Sequence, residues 1–285
     1  MLGPFLEEVL GWLRGHAPHE PRRVADMGAG TGAGSLALAR RFPAAEIIAI
    51  DRSSVMIDRV REAARAEGLG DRLRVAEADL DAAWPAIGAL DVVWAASSLH
   101  HVADPGRVLR DIHAALNPGG LLAVIEMDAL PRFLPDDFGL GRPGLEARCH
   151  EAAAQAGWNA HPDWGPHLEQ AGFELAEQRS FSIEPSPSPT PADASAPGLA
   201  APDSVASAPV APGSGASGSV PSAVARYAYA VLSGFRAALH DRLDATDLGT
   251  LDRLLAEDSP DGLLNRRDLT LRGTRTVWAA RRPSA

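Results

Sequence analysis

An α/β fold built on a parallel sheet is predicted by three observations. Short apolar runs alternate with longer helical stretches from Val24 to Glu126, the first such run ends in a glycine turn at Gly28, and a capped helix ends in the turn Asn117-Pro118-Gly119-Gly120. Ahead of this region, Leu2, Phe5, Leu6, Val9, Leu10 and Leu13 recur at helical spacing, interrupted by Glu7 and Glu8 and without a basic stretch before them. That pattern predicts an amphipathic helix and not a secretory leader. Strands follow over 24–27, 46–51, 73–77, 91–95 and 121–126, separated by helices near 32–41, 53–67 and 105–116. The last helix has clear punctuation: Asp104 can cap its free amides, Pro105 presets φ at the first helical position, and the Asn-Pro-Gly-Gly turn cannot continue it.

Beyond Glu126 the alternation loosens through Pro131, Pro135, Gly139, Gly141, Pro143 and Gly144, with helices expected over 145–156 and 164–171 and a sixth strand over 173–183. Residues 184–222 are of another kind: nine of the chain's 23 prolines fall here among Ser, Ala and Gly, with no aromatic or basic residue. Too little apolar area is available to offset the entropy of ordering, so this stretch is predicted to be a disordered insertion. Helical periodicity returns through Val224, Tyr227, Val231, Phe235 and Ala238, and again through Leu248, Leu251, Leu254 and Leu255, before a final strand over 272–279. The helix from Tyr227 to His240 is expected to form a cap over the site. The expected organisation is a core with its N-terminal helix over 1–183, the insertion over 184–222, and a helical segment with a last strand completing the core over 223–285.

Composition narrows the function. A formal net charge of -10 opposes a phosphate backbone, so nucleic acid is not the expected partner. All 27 basic residues are arginine, which removes lysine Schiff-base chemistry and the P-loop lysine. Cys149 is the only cysteine, so no intramolecular disulfide and no cysteine-built zinc site can form, and a reducing cytoplasm is expected. His161 and His167 match no common metal-pair spacing, so no metal is expected, and no apolar run is long enough for a membrane span.

In Val24-Ala25-Asp26-Met27-Gly28-Ala29-Gly30-Thr31-Gly32 a strand ends in a glycine turn that opens a helix, which lets a ligand approach the backbone and the helix amides. A nucleotide-type cofactor suits such a loop, and Gly28, Gly30 and Ala33 also satisfy the dinucleotide pattern. Asp51 closes the second strand, where a carboxylate accepts ribose hydroxyls in either class. Asp26, two residues before the first glycine, is placed to bind the loop amides and a ligand ammonium. Asp79 follows the third strand, where it can accept from an adenine amino group while Ala78 or Leu80 covers the ring.

These motifs, with the segment Asp91-Val92-Val93-Trp94-Ala95-Ala96-Ser97-Ser98-Leu99-His100-His101-Val102, resemble a class I S-adenosylmethionine-dependent methyltransferase of the ubiquinone/menaquinone-biosynthesis-like type. The resemblance spans roughly residues 20–130. It implies a Rossmann-like seven-stranded sheet in the order 3-2-1-4-5-7-6 with the last strand antiparallel, and S-adenosylmethionine as the cofactor. Carried over by position, Gly28, Gly30 and Gly32 take the methionine end, Asp51 the ribose, Met56 the adenosine, and Asp79 with Leu80 or Ala78 the adenine, while Ala96 or Ser97 flanks the sulfonium; Ala29 and Arg52 are further cofactor-binding candidates. The expected acceptor is a small molecule whose O, N or C nucleophile is methylated in line. His100 and His101, just past the fourth strand, are the candidate bases. Trp158, His161 and Trp164 lie where this architecture can roof an acceptor pocket. An NAD-linked oxidoreductase and a non-catalytic cofactor-binding module are the competing expectations.

Overall fold

The computed structural model describes residues 3–158, 163–183 and 221–284. The stretch 184–222 lies outside the described residues save for its last two, and His161 lies outside them too. The chain divides into two compact units, one comprising Leu2–Ala129, His161–Ile183 and Thr274–Ala285 and the other Leu130–Ala160 and Glu184–Gly273.

The first unit holds α1 (Gly3–Leu13), β1 (Arg23–Met27), α2 (Ala33–Arg41), β2 (Glu46–Asp51), α3 (Ser54–Ala66), β3 (Leu73–Glu77), β4 (Leu90–Ala96), α4 (Pro105–Ala115) and β5 (Leu116–Met127). The second unit contributes α5 (Leu145–Gln155), after which the first resumes with α6 (Trp164–Gln170) and β6 (Glu174–Ile183). Then come α7 (Ala223–Ala238) and α8 (Ala245–Leu255) of the second unit, and β7 (Gly273–Arg281). The seven strands form one sheet in the order β3-β2-β1-β4-β5-β7-β6. β1 through β5 pair in parallel and β7 runs antiparallel to β5, the arrangement that the family resemblance implies.

Burial explains which runs became central strands. In β4, Val92, Val93, Trp94 and Ala95 are all buried, as a strand covered on both faces requires, and Ile47, Ile48, Ala49 and Ile50 of β2 repeat the pattern. The edge strands β3 and β6 are largely half-buried or exposed. On one side of the sheet, Met27, Ile50, Val93 and Leu109 pack in a single apolar cluster with Trp164 and Leu168 of α6. Trp164 is thus a core residue of this unit and not part of a pocket roof. The helices begin where their caps stand: Asp104 accepts from the Arg107 amide at 2.8 Å with Pro105 following, and the Ser53 hydroxyl accepts from Met56 at the start of α3.

β5 starts five residues earlier than the apolar pattern predicts. Leu116 pairs with Leu90, and the register then shifts before Val92 meets Leu121, so the Asn-Pro-Gly-Gly stretch is a bulge inside the strand. Gly119 adopts φ +75°, and its amide, with the Gly120 carbonyl, pairs with Arg282 beyond the end of β7.

In the second unit, Leu232 and Phe235 of α7 and Leu251 and Leu254 of α8 are buried. Asp247 is buried as well; Arg148 reaches it through Nε and Nη2 at 2.6 and 2.8 Å, and Arg142 at 3.0 Å. Glu146 accepts from the Phe133 and Leu134 amides, tying the start of α5 to the preceding loop. Trp158 is half-exposed and stacks on Phe235 with ring centroids 6.3 Å apart. Cys149 is buried, and burial pushes its thiol up to about 12, which leaves it unreactive.

Candidate active site

The carboxyl ends of β1, β2, β4 and β5 converge on one end of the sheet, where an open α/β sheet takes its ligands. Loop 28–32 leaves β1 with three glycines at positive φ, +68° at Gly28, +52° at Gly30 and +88° at Gly32. Two of them are also required by space. A β-carbon on Gly28 would stand 2.7 Å from the Ser98 β-carbon, and one on Gly32 would stand 3.1 Å from the Val60 side chain. Gly30 is different, since a β-carbon there would meet nothing within 4 Å. The loop is therefore packed hard at its ends and open at its middle.

Asp51 fixes that open middle. One carboxylate oxygen accepts from the Gly30 amide at 2.9 Å and the other from the Ser53 amide at 2.9 Å. Each oxygen retains a further lone pair for a ligand hydroxyl. The Gly28 and Ala29 amides both donate to the Ile50 carbonyl, and the Gly32 amide donates to Ala29.

Contrary to the expectation from sequence, Asp26 does not accept from the loop amides, which are taken by the Ile50 carbonyl and Asp51. Asp26 is 3% exposed, and its carboxylate accepts from the Ser35 hydroxyl on α2 at 2.6 Å. Burial pushes its carboxyl up from 3.8 to about 6; the Ser35 hydrogen bond opposes this and the nearby Asp51 charge adds to it. An acid whose folded value is raised stabilises the fold in full below its unfolded value, and that contribution is lost as pH rises from there through the folded one. At about 1.4 kcal/mol per tenfold, the unliganded protein is expected to lose about 3 kcal/mol from this group between pH ~4 and pH ~6. Urea unfolding of Asp26→Asn beside wild type checks this: the variant's stability relative to wild type should rise across that interval and level off above it. A difference that stays flat with pH would show that Asp26 does not titrate there.

The adenine-side candidates lie on the turn after β3. The Ala78 amide donates to the Asp51 carbonyl, Leu80 is half-buried against the sheet core, and Arg107 donates to the Leu80 carbonyl. Asp79 is exposed, and one of its oxygens accepts from the Asp81 amide at 3.0 Å. Met56 is half-buried in the first turn of α3, and Arg52 is exposed beside Asp51.

At the end of β4, Ala96 is followed by Ser97 at φ +51°, the only non-glycine residue with positive φ among the described residues. Strain of this kind persists only where surrounding bonds impose it. The Ser97 amide donates to Ile125, and its hydroxyl accepts from Arg275 of β7. The next two amides, of Ser98 and Leu99, donate to one oxygen of Glu126 at 3.0 and 3.1 Å, while the other Glu126 oxygen lies 2.7 Å from His100 Nδ1. Glu126 is 2% exposed, whereas the His100 side chain is 23% exposed. The His100 and His101 ring centroids lie 3.9 Å apart. The Ser98 hydroxyl is buried beside Gly28 with no partner among the described residues, a polar atom left facing the glycine loop.

The sequence reading missed Glu126, Ser98 and Arg275. Glu126 carried a signal, because it is an acid one residue before the end of an apolar strand run, as Asp26 is in β1, while Asp51 closes β2. Ser98 and Arg275 carried none, since Ser98 packs against Gly28, 70 positions away, and Arg275 bonds Ser97, 178 positions away in the chain.

Residues 24–120, which hold every candidate cofactor and catalytic position, match the family described as a methyltransferase domain. Over that span, less than half of the chain, the sequence is similar to class I methyltransferase domains. Such domains take S-adenosylmethionine as methyl donor. The trans-aconitate 2-methyltransferase of Pseudomonas aeruginosa (strain PAO1) is 34% identical over 142 residues, 46% of this chain and 49% of that one. The demethylmenaquinone methyltransferase of Thermus thermophilus is 36% identical over 112 residues, 39% of this chain and 50% of that one. This chain therefore spans about half the length of the curated relatives it matches. The solved structure of a Bacillus halodurans protein described as a methyltransferase shares the fold, with a TM-score of 0.53 at 15% identity over 99% of this chain and 100% of that one. The site also fits such a donor: Gly30 leaves open space over the loop, Asp51 offers two oxygens, and the Ser98 hydroxyl lacks a partner among the described residues.

Proposed function

We propose that this chain transfers the methyl group of S-adenosylmethionine to a small-molecule acceptor. The observation that carries the reading is the clamp of Asp51 on the Gly30 and Ser53 amides at the open centre of the glycine loop, within a domain of methyltransferase type. When bound, the donor supplies a methyl on a sulfonium, a neutral leaving group once the methyl departs. The protein's work is then to align the acceptor with that methyl and to keep water out.

In this reading Gly28, Ala29, Gly30 and Gly32 hold the methionine end with Asp26 facing its ammonium, Asp51 and Arg52 hold the ribose, Met56 lies against the adenosine, and Ala78, Asp79 and Leu80 hold the adenine. Ala96 and Ser97 border the sulfonium, and His100 and His101 are the residues available to take a proton. The acidic charge of the chain speaks for a small acceptor and against nucleic acid. Among the described residues no helix is long and apolar enough to cross a membrane. A single buried thiol suits a reducing cytoplasm.

Titration calorimetry with S-adenosylhomocysteine on the full chain, followed by incubation with methyl-labelled S-adenosylmethionine and a metabolite extract, tests the reading. Binding with label appearing in a small organic product is the expected result. Binding with no labelled product from any extract would point to a cofactor-holding module, and no binding would overturn the proposal.

A further inference from the structure

Glu126 has every feature of a residue that sets the state of another. It is buried at 2% exposure, it holds the loop after β4 through two amides on one oxygen, and it presents the other oxygen to an imidazole at 2.7 Å. A carboxylate can only accept hydrogen bonds, so the imidazole nitrogen facing it must carry the proton. That nitrogen is Nδ1 of His100, and in neutral imidazole the lone pair then resides on Nε2. A ring fixed by a buried carboxylate is the arrangement that orients a general base. His100 also stands three residues beyond Ser97, at the end of the sheet where the proposed methyl transfer takes place.

We propose that Glu126 is a positioning residue which holds His100 with its proton on Nδ1, so that Nε2 removes the proton of a hydroxyl acceptor. This inference rests on the methyltransferase reading given above. The type of base selects the acceptor class. A carboxylate is already ionised at neutral pH and needs no base. A neutral amine attacks with its own lone pair and releases its proton afterwards. A hydroxyl is a poor nucleophile until its proton leaves, so it gains from a base acting as the bond forms. In the step, a lone pair of the hydroxyl oxygen forms the new C–O bond, and the electron pair of the breaking C–S bond returns to sulfur. The hydroxyl proton passes to His100 Nε2, giving an imidazolium that Glu126 stabilises until the proton is lost to solvent. The products are a methyl ether, S-adenosylhomocysteine and one released proton.

Glu126→Gln separates this role from a structural one. Its amide oxygen can still accept from Ser98 and Leu99, but its NH2 group donates toward His100 Nδ1, which must then accept. The proton moves to Nε2 and the base is blocked, while the loop keeps its hydrogen bonds. Full chain carrying 15N-histidine, with the His100 signals assigned by comparison with His100→Gln, reports the tautomer directly near pH 8. Wild type is expected to carry its proton on Nδ1 and the glutamine variant on Nε2. A wild-type proton on Nε2 would overturn the proposal without any use of the variant, and so would an unchanged tautomer in a folded variant.

S-adenosylhomocysteine affinity, read by calorimetry, should agree within about threefold between the two proteins, while label transfer in the metabolite extract should fall by about 100-fold or more. Unchanged transfer overturns the proposal. The chemistry of the wild-type product completes the test. Label that survives alkali and is released as methyl iodide by hot hydriodic acid is the expected methyl ether. Label released by alkali marks a methyl ester, and label retained in hydriodic acid marks an N- or C-methyl group; either result contradicts a hydroxyl acceptor. Absence of S-adenosylhomocysteine binding by wild type would count against the methyltransferase reading and leave the tautomer result to decide the role of Glu126.

Discussion

Gly28→Ala is expected to destabilise the protein by about 4 kcal/mol, from two sources that reinforce each other. The backbone at φ +68° puts a side chain in the left-handed region, at a cost of about 1–2 kcal/mol for alanine. The new methyl would also stand 2.7 Å from the Ser98 β-carbon, an overlap worth about 1–3 kcal/mol in a packed site. Ser98 cannot retreat easily, because its amide is tied to Glu126 at 3.0 Å. Gly30→Ala is the control. Its φ of +52° brings similar strain, but its methyl meets nothing within 4 Å. Urea unfolding should therefore place Gly30→Ala within about 2 kcal/mol of wild type and Gly28→Ala well below it. In the ligand assay Gly30→Ala should be folded yet weak, since its methyl fills the space over the loop. Equal stability of the two alanine variants would remove the steric account of Gly28.

The second large effect is expected at Asp51. Its replacement by alanine removes the acceptor for the Gly30 and Ser53 amides and, on the proposed reading, the partner of both ribose hydroxyls. Hydrogen bonds to a charged acceptor contribute about 1.5–3 kcal/mol each, so S-adenosylhomocysteine affinity should fall by about 3–4 kcal/mol, a loss of several hundredfold. Stability should change far less, because both released amides lie in a half-buried loop that water can reach. Asp51→Asn keeps one acceptor oxygen and should fall between the two. Tight binding by Asp51→Ala, comparable with wild type, would take the ribose role away from this residue.

The sheet was legible in the sequence because its strands are buried on both faces and its helices carry their own caps. Val92 to Ala95 and Ile47 to Ile50 cannot be anything but interior, and Asp104 with Pro105 marks a helix start from local chemistry alone. The start of β5 was not legible, since Pro118 and the two glycines after it signal a turn, and only the pairing of Leu116 with Leu90 turns that stretch into a bulge. The glycine loop was readable because its function depends on backbone angles that few other residues adopt. Asp26 was read as a loop ligand because local spacing favours nearby amides, yet those amides are taken by the Ile50 carbonyl and Asp51. Its partner is the Ser35 hydroxyl, nine positions on and brought back by the turn into α2. Glu126 was hidden for a related reason: the groups it organises lie 26 to 28 positions earlier, and only the parallel pairing of β4 with β5 makes them neighbours.

The place of β7 in the sheet bears on how the molecule is made. β5 finds its partner on one side in β4, completed shortly before, but on the other side it waits for residues 275–281. Those leave the ribosome roughly 150 residues later, which at about 5–20 residues per second is ~10–30 s of synthesis. Throughout that interval β5 offers a row of unsatisfied amide and carbonyl groups along its length, the kind of edge on which chains pair with one another. A polypeptide arrested or cleaved before residue 273 would keep that edge for good, so shortened forms should be the adhesive ones.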